Sequence, residues 1–210
     1  ASEGLVRNLP VFSEFLNIAS LSDTHPVNYS NIARECGVDS KTVKEYYHIL
    51  VDTLVGNFVE PFKRRQDRKV ISRASKFYLF DIGVAGSLTK RNIAEEKGEA
   101  FGKSFEHFIL TEITAYNSYR EVGFKINFWR TKSGLEVDFV LGDGEVAIEV
   151  KGVNRIDNRD LRPLRVFKDL YAPRLALVVC NEKEERIVGD IRIIPWRKYL
   201  SDLWAGRRIH

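Results

Sequence analysis

The chain has 210 residues, 44% apolar and 30% charged, which is the composition of a globular protein with room for one large or two small domains. No apolar run reaches the length of a membrane span and no signal-peptide pattern opens the chain, so no membrane role is expected, and two distant cysteines, Cys36 and Cys180, point to a reduced, cytoplasmic protein. Net charge is +4 with a pI near 9.0, compatible with a nucleic-acid partner, and the absence of any methionine leads to the expectation that the chain begins inside a longer protein.

The apolar spacing over Leu9–Ile18 predicts a short helix. Pro26–Cys36 reads as a second helix, stopped by Gly37. Asp39 or Ser40 can cap a third, running to about Leu54 with Val43, Tyr47, Leu50, Val51 and Leu54 on one face. Phe58–Phe62 and Lys76–Phe80 read as strands. Helix, glycine turn, helix and then two strands is the order of a winged helix. Between the strands, Pro61–Arg73 carries six bases and one acid, a local +5 that exceeds the charge of the whole chain. Lys63, Arg64, Arg65, Arg68 and Lys69 from this segment, with Lys41, Thr42 and Lys44 from the third helix, are candidates for phosphate contacts. The competing readings are a solvated loop on a winged helix that only packs against a neighbour, or a segment used in subunit assembly; the sequence is compatible with an oligomer.

Gly83–Glu96 is expected to join two domains, residues 1–92 and 93–210. Phe101–Tyr116 is predicted as an amphipathic helix with Phe101, Phe105, Phe108, Ile109 and Ile113 on its apolar side. Phe124–Arg130 reads as a strand, followed by a turn at Thr131–Gly134 and a hairpin. Asp157–Leu170 is expected as a helix, Leu175–Cys180 as a buried strand, Asp190–Ile194 as another strand and Trp196–Trp204 as a closing helix. Gly98-Glu-Ala-Phe-Gly-Lys-Ser104 has the look of a phosphate-binding loop but is one residue short between its glycines.

The hairpin is the chemically loaded stretch. Asp143-Gly144 between two alternating runs predicts a two-residue turn. That turn places Asp138 opposite Glu149 and Glu136 opposite Lys151, with all four on one face. Val137, Phe139, Ile148 and Val150 then form the core face. Two opposed carboxylates at about 6 Å repel by roughly 3 kcal/mol at an effective dielectric of about 20, so a cation is needed there. Magnesium, which takes one or two carboxylates and keeps its waters, is one answer. The other is a surface patch in which Lys151 pairs with Glu136 and Glu149 and nothing binds. Glu106, on the edge of the long helix's apolar stripe, can join this group. His25, His48, His107 and His210 form no ligand spacing.

Glu106, Asp138 and Glu149-Val150-Lys151, in the order helix, strand, strand, resemble the PD-(D/E)XK nuclease superfamily. More narrowly, Trp129–Val140 and Ile148–Lys151 are similar to a domain of unknown function at the C-terminus of prokaryotic AAA-type P-loop ATPases. The resemblance implies an α+β chain, a winged helix followed by an αβββαβ nuclease-like domain, with the ATPase domain upstream. It implies metal ligation by Asp138, Glu149 and the Val150 carbonyl, magnesium or manganese as the ion, Lys151 as catalytic lysine and Glu106 as helical acid. The implied activity is metal-dependent DNA cleavage; the competing class is a non-catalytic nucleic-acid- or protein-binding module that regulates the ATPase. Val137 stands where the superfamily's name has proline.

Overall fold

The computed structural model describes residues 8–64, 74–88 and 97–207. The chain is α+β, with seven helices and eight strands among the described residues, and it divides into two compact units. The described residues of the first are 8–59 and 74–88, and those of the second are 60–64 and 97–207. No described helix is long and apolar enough to cross a membrane.

In the first unit, α1 (Leu9–Leu21), α2 (Tyr29–Cys36) and α3 (Ser40–Asp52) each begin on a side-chain cap, from Asn8, Asn28 and Asp39 in turn. Gly37 ends α2 in the left-handed region at φ 65°, the conformation a helix stop requires and glycine adopts without strain. β1 (Gly56–Pro61) pairs antiparallel with β2 (Lys76–Leu79) through its first four residues. Tyr47 on α3 centres the core, with ring centroids 4.9 Å from Phe15 and 4.8 Å from Phe77. The stretch expected to be a junction instead contains α4 (Ile82–Leu88), started by an Asp81 cap on the Val84 N–H. It buries Ala85 into this core, which the paired glycines at 83 and 86 had masked in the pattern. Residues 89–96 of the expected junction lie outside the described residues.

The second unit runs α5 (Gly98–Tyr119), β3 (Ile126–Arg130), β4 (Glu136–Leu141), β5 (Val146–Lys151), α6 (Arg162–Tyr171), β6 (Leu175–Cys180), β7 (Arg186–Val188), β8 (Ile191–Pro195) and α7 (Trp196–Trp204). The strands lie in the order β3-β4-β5-β6-β8-β7; β5, β6 and β8 are parallel and the remaining pairs antiparallel. Glu60 and Pro61, the end of β1, pair in parallel with β3. Phe62 then enters this unit's core, against Phe167 and Tyr171, which is why the chain from Glu60 to Arg64 belongs here. The phosphate-loop lookalike forms the first two turns of α5, and its Lys103 is ion-paired with Glu99 one turn back. α6 starts five residues later than its periodicity suggests. The Asp160 carboxylate accepts from the Asp157 N–H at 2.8 Å, and that local bond holds the chain in a turn ahead of the helix.

Both faces of the central hairpin are buried, where the sequence suggested one core face and one polar face. α6 covers one side, in a cluster joining Leu164 and Phe167 to Val137, Val140 and Ala147. α5 packs against β5 without joining that cluster, and so takes the opposite side. Parallel strands flanked by helices bury both faces as a rule. Cys36 and Cys180 are buried free thiols, as their apolar surroundings suggested.

Candidate functional site

The hairpin has the expected register over its upper half: Leu141 pairs with Val146, Val140 with Ala147 and Phe139 with Ile148. The loop itself has four residues, Gly142–Glu145, instead of the expected two. The Glu145 carboxylate bonds the Asp143 N–H at 2.8 Å and holds the loop closed. Gly142 and Gly144 sit at φ 65° and 97°, so glycine is required at both.

Below Phe139 the ladder ends, because β4 bulges. Asn127 of β3 pairs with Val140 but Trp129 pairs with Val137, so Phe128 alone stands opposite both Asp138 and Phe139. The extra residue lets Val137 and Val140, three apart, reach one core cluster. It also re-aims Asp138, as bulges do. The Asp138 carboxylate turns to β5 and accepts the Val150 N–H at 2.7 Å, in a position a ladder partner otherwise fills. The expected pairings of Asp138 with Glu149 and of Glu136 with Lys151 are both lost with the ladder. Glu136 is held instead by Arg130, its neighbour on β3, at 2.6 Å.

Asp138 is 7% exposed and Glu149 2%. Lys151 Nζ lies 2.7 Å from Glu149 Oε1, while Glu149 Oε2 is buried with no hydrogen-bond partner. Burial, and then the Asp138 charge, push the Glu149 carboxyl up to about 8 against the pull of Lys151; Glu136 adds to the rise. The Lys151 ammonium is likewise held more firmly protonated, because Glu149 and Asp138 outweigh its own burial; Asp160 contributes as well. Asp138 and Glu136 thus act on Glu149, Asp138 and Asp160 act on Lys151, and Arg130 holds Glu136. Two buried carboxylates side by side, one with an orphaned oxygen, fit a divalent cation. Among the described residues no three His, Cys, Asp or Glu side chains are grouped to hold a metal. The fit is thus to a two-carboxylate site completed by backbone and water, which is magnesium's habit.

The other sequence candidates are placed as follows. Glu106 is half-buried on α5, and the charges acting most strongly on Glu149 and Lys151 come from elsewhere. His107 is buried. Lys41 is exposed beside Glu45, whereas the Thr42 hydroxyl and N–H both bond the capping Asp39 carboxylate. Lys44 lies over the Tyr29 ring. Lys63 is exposed; Arg64 stacks over Tyr171 and donates to the Asp143 carbonyl at 3.4 Å. Arg65, Arg68 and Lys69 lie outside the described residues. Sequence reasoning did not single out Arg130 or Asp160. The tight turn at Thr131–Gly134 was the available signal for Arg130, since closing it sets Arg130 opposite Glu136.

No curated protein matches the chain. Residues 1–95 match a domain of unknown function, DUF8612. Residues 101–199 match another domain of unknown function, DUF4143, which is found in the C-terminal region of AAA-ATPase-like proteins.

Proposed function

We propose that the second unit is a nuclease-like domain of the PD-(D/E)XK kind, that the first unit is a winged helix, and that together they serve an AAA-type ATPase in the cytoplasm by cutting DNA with magnesium or manganese. The observation that carries this reading is the buried Glu149, its Oε2 unpartnered, beside Asp138 and Lys151. Asp138, Glu149 and the Val150 carbonyl would hold the ion, which when bound polarises a phosphodiester oxygen and eases deprotonation of water. Asp138 is oriented for this by the Val150 N–H, which takes one of its oxygens. Lys151, kept protonated by its acidic neighbours, sets a positive charge where negative charge grows on the phosphorus. Glu106 is assigned a supporting role from the α5 side. Lys41, Lys44 and Lys63 offer exposed charge for the DNA backbone.

One observation favours the second reading, a non-catalytic regulatory module: Lys151 already neutralises Glu149, and both acids are almost fully covered. The two readings separate on plasmid DNA. Nicking with magnesium that disappears in Asp138→Ala and Lys151→Ala supports the nuclease. Metal-independent DNA binding that survives Asp138→Ala, with no nicking under any divalent ion, supports the module.

A further inference from the structure

A cleft of about 950 Å³ opens at the carboxyl ends of β5 and β6, between the loop after β5 and the loop after β6. It lies close to the proposed site. Cys180 is the parallel partner of Lys151, the next residue Asn181 lines the cleft, and the Asn181 N–H bonds the Val153 carbonyl at 3.0 Å. Ligands of open α/β sheets collect at this edge, beyond the carboxyl ends of the parallel strands.

The two walls are tied together. Glu182 Oε1 accepts the Ile156 N–H at 2.7 Å, and Arg186 Nη2 donates to the Ile156 carbonyl at 2.8 Å while its guanidinium also binds both Glu182 oxygens. Both backbone groups of one residue are thus clasped by a single ion pair from the opposite loop, so the cleft is pre-formed. A pre-formed site avoids the ordering cost of closing on a ligand.

Its chemistry argues against a phosphate groove. Along the cleft four acids face three bases, and Arg186 is already committed to Glu182. The side chains that remain are apolar or amide. Val188 gives it apolar surface beside the buried Ile156 and Leu161, and Asn154, Asn158 and Asn181 supply amides, the Asn158 oxygen already accepting from Arg165 at 3.0 Å. The Asn181 Nδ2 is buried and has no hydrogen-bond partner. A small apolar patch with an amide rim suits a flat, neutral ring that carries donors and acceptors on its edge, and asparagine is a natural reader of such edges. The geometry points to this cleft as the seat of an unpaired nucleobase flanking the cleaved phosphodiester. This rests on the nuclease reading for its substrate class and extends it, because a base seated here must leave the stack. The preferred substrate is therefore single-stranded DNA or a duplex with an unpaired end.

The test uses the full 210-residue chain in EDTA, so that binding is read without cleavage. Fluorescence anisotropy compares a labelled single-stranded oligonucleotide with a blunt duplex of the same sequence. The expected result is tighter binding of the single strand, reduced about tenfold by Asn181→Leu with duplex affinity unchanged. Should Asn181→Leu fail to fold, the exposed pair Asn154→Ala with Asn158→Ala gives the same readout. Equal affinity for the two DNAs, or a single-strand preference indifferent to these substitutions, overturns the inference. Absence of magnesium-dependent nicking together with an Asn181-dependent preference overturns the nuclease reading and leaves the base-binding cleft standing.

Discussion

Replacing Glu149 by glutamine probes the charge balance on which the site depends. The side chain is 2% exposed, and its carboxyl, ordinarily at 4.5, is pushed up to about 8 by burial and by Asp138. A raised carboxyl keeps its proton longer in the folded chain than in the unfolded one. Below the ordinary value both states are protonated and the stability is fully present. As pH rises toward 8 the unfolded state alone sheds the proton, and stability is lost. At about 1.4 kcal/mol per pH unit this window amounts to about 5 kcal/mol, an upper bound that relaxation and water entry reduce to roughly 2–3 kcal/mol. Glu149→Gln keeps the shape and removes the titration. In EDTA the wild type is thus expected to lose stability between pH 5 and 8 while the variant stays level, ending roughly 2–3 kcal/mol the more stable at pH 8. All three tryptophans, Trp129, Trp196 and Trp204, lie in the second unit, so their fluorescence during urea unfolding reports that unit alone. Magnesium at a hundredfold excess over its Kd is expected to restore about 2.7 kcal/mol to the wild type at pH 8 and little to the variant. Parallel pH slopes in the two proteins, or a variant less stable than the wild type at pH 8, refute the electrostatic account.

Two further substitutions test the hairpin. Asp138→Ala strands the Val150 N–H, now bonded at 2.7 Å, and is expected to cost about 1–3 kcal/mol, whereas Asp138→Asn keeps an acceptor oxygen and costs less; thermal melts should rank asparagine above alanine. At Gly144 a Cβ would meet the Phe62 ring at 2.9 Å on a backbone at φ 97°, while at Gly37 nothing lies within 4 Å at φ 65°. Gly144→Ala is expected to cost about 2–3 kcal/mol and Gly37→Ala about 1, read as urea midpoints; equal costs would mean the loop yields freely.

Much of the scaffold was legible because it follows local rules. Asp39 precedes an apolar face at helical spacing and caps α3, with the Thr42 N–H 2.8 Å from its carboxylate. The alternation around Asp143-Gly144 matched the register of the upper half of the hairpin, from Phe139 to Ile148, although the loop proved two residues longer, since adding one residue to each side of a turn preserves the pairing above it. The bulge at Asp138 was not legible. A period of two has no place for an extra residue, and Val137 and Val140 look like opposite faces until β3 is laid beside them. The same limit hid the buried polar pair: Asp138 and Glu149 read as solvent-facing because nothing local announces that both faces of the hairpin are covered. α4 was missed for a different reason, since glycines at 83 and 86 lower helix propensity and only packing of Ala85 into the first core restores it.

The catalytic and non-catalytic readings differ in how one pair of oxygens is used. Lys151 takes Glu149 Oε1 and leaves Oε2 buried and bare. For a module that only binds, that orphan is pure cost, because a lost partner for a buried polar atom is worth about 1–3 kcal/mol and nothing in such a role repays it. Protonation relieves part of that cost, and burial and the Asp138 charge favour it by pushing the carboxyl up to about 8. A divalent ion relieves it more fully, by placing positive charge beside the bare oxygen and the Asp138 carboxylate. Binding must then expel the Glu149 proton, so magnesium affinity is expected to rise with pH until about 8 and level off above it. A structural Lys151–Glu149 pair with no ion to admit carries no such coupling. The pH dependence of magnesium affinity, measured by calorimetry on intact protein, therefore distinguishes a site built for a metal from one already satisfied by its lysine, whether or not DNA is ever cut.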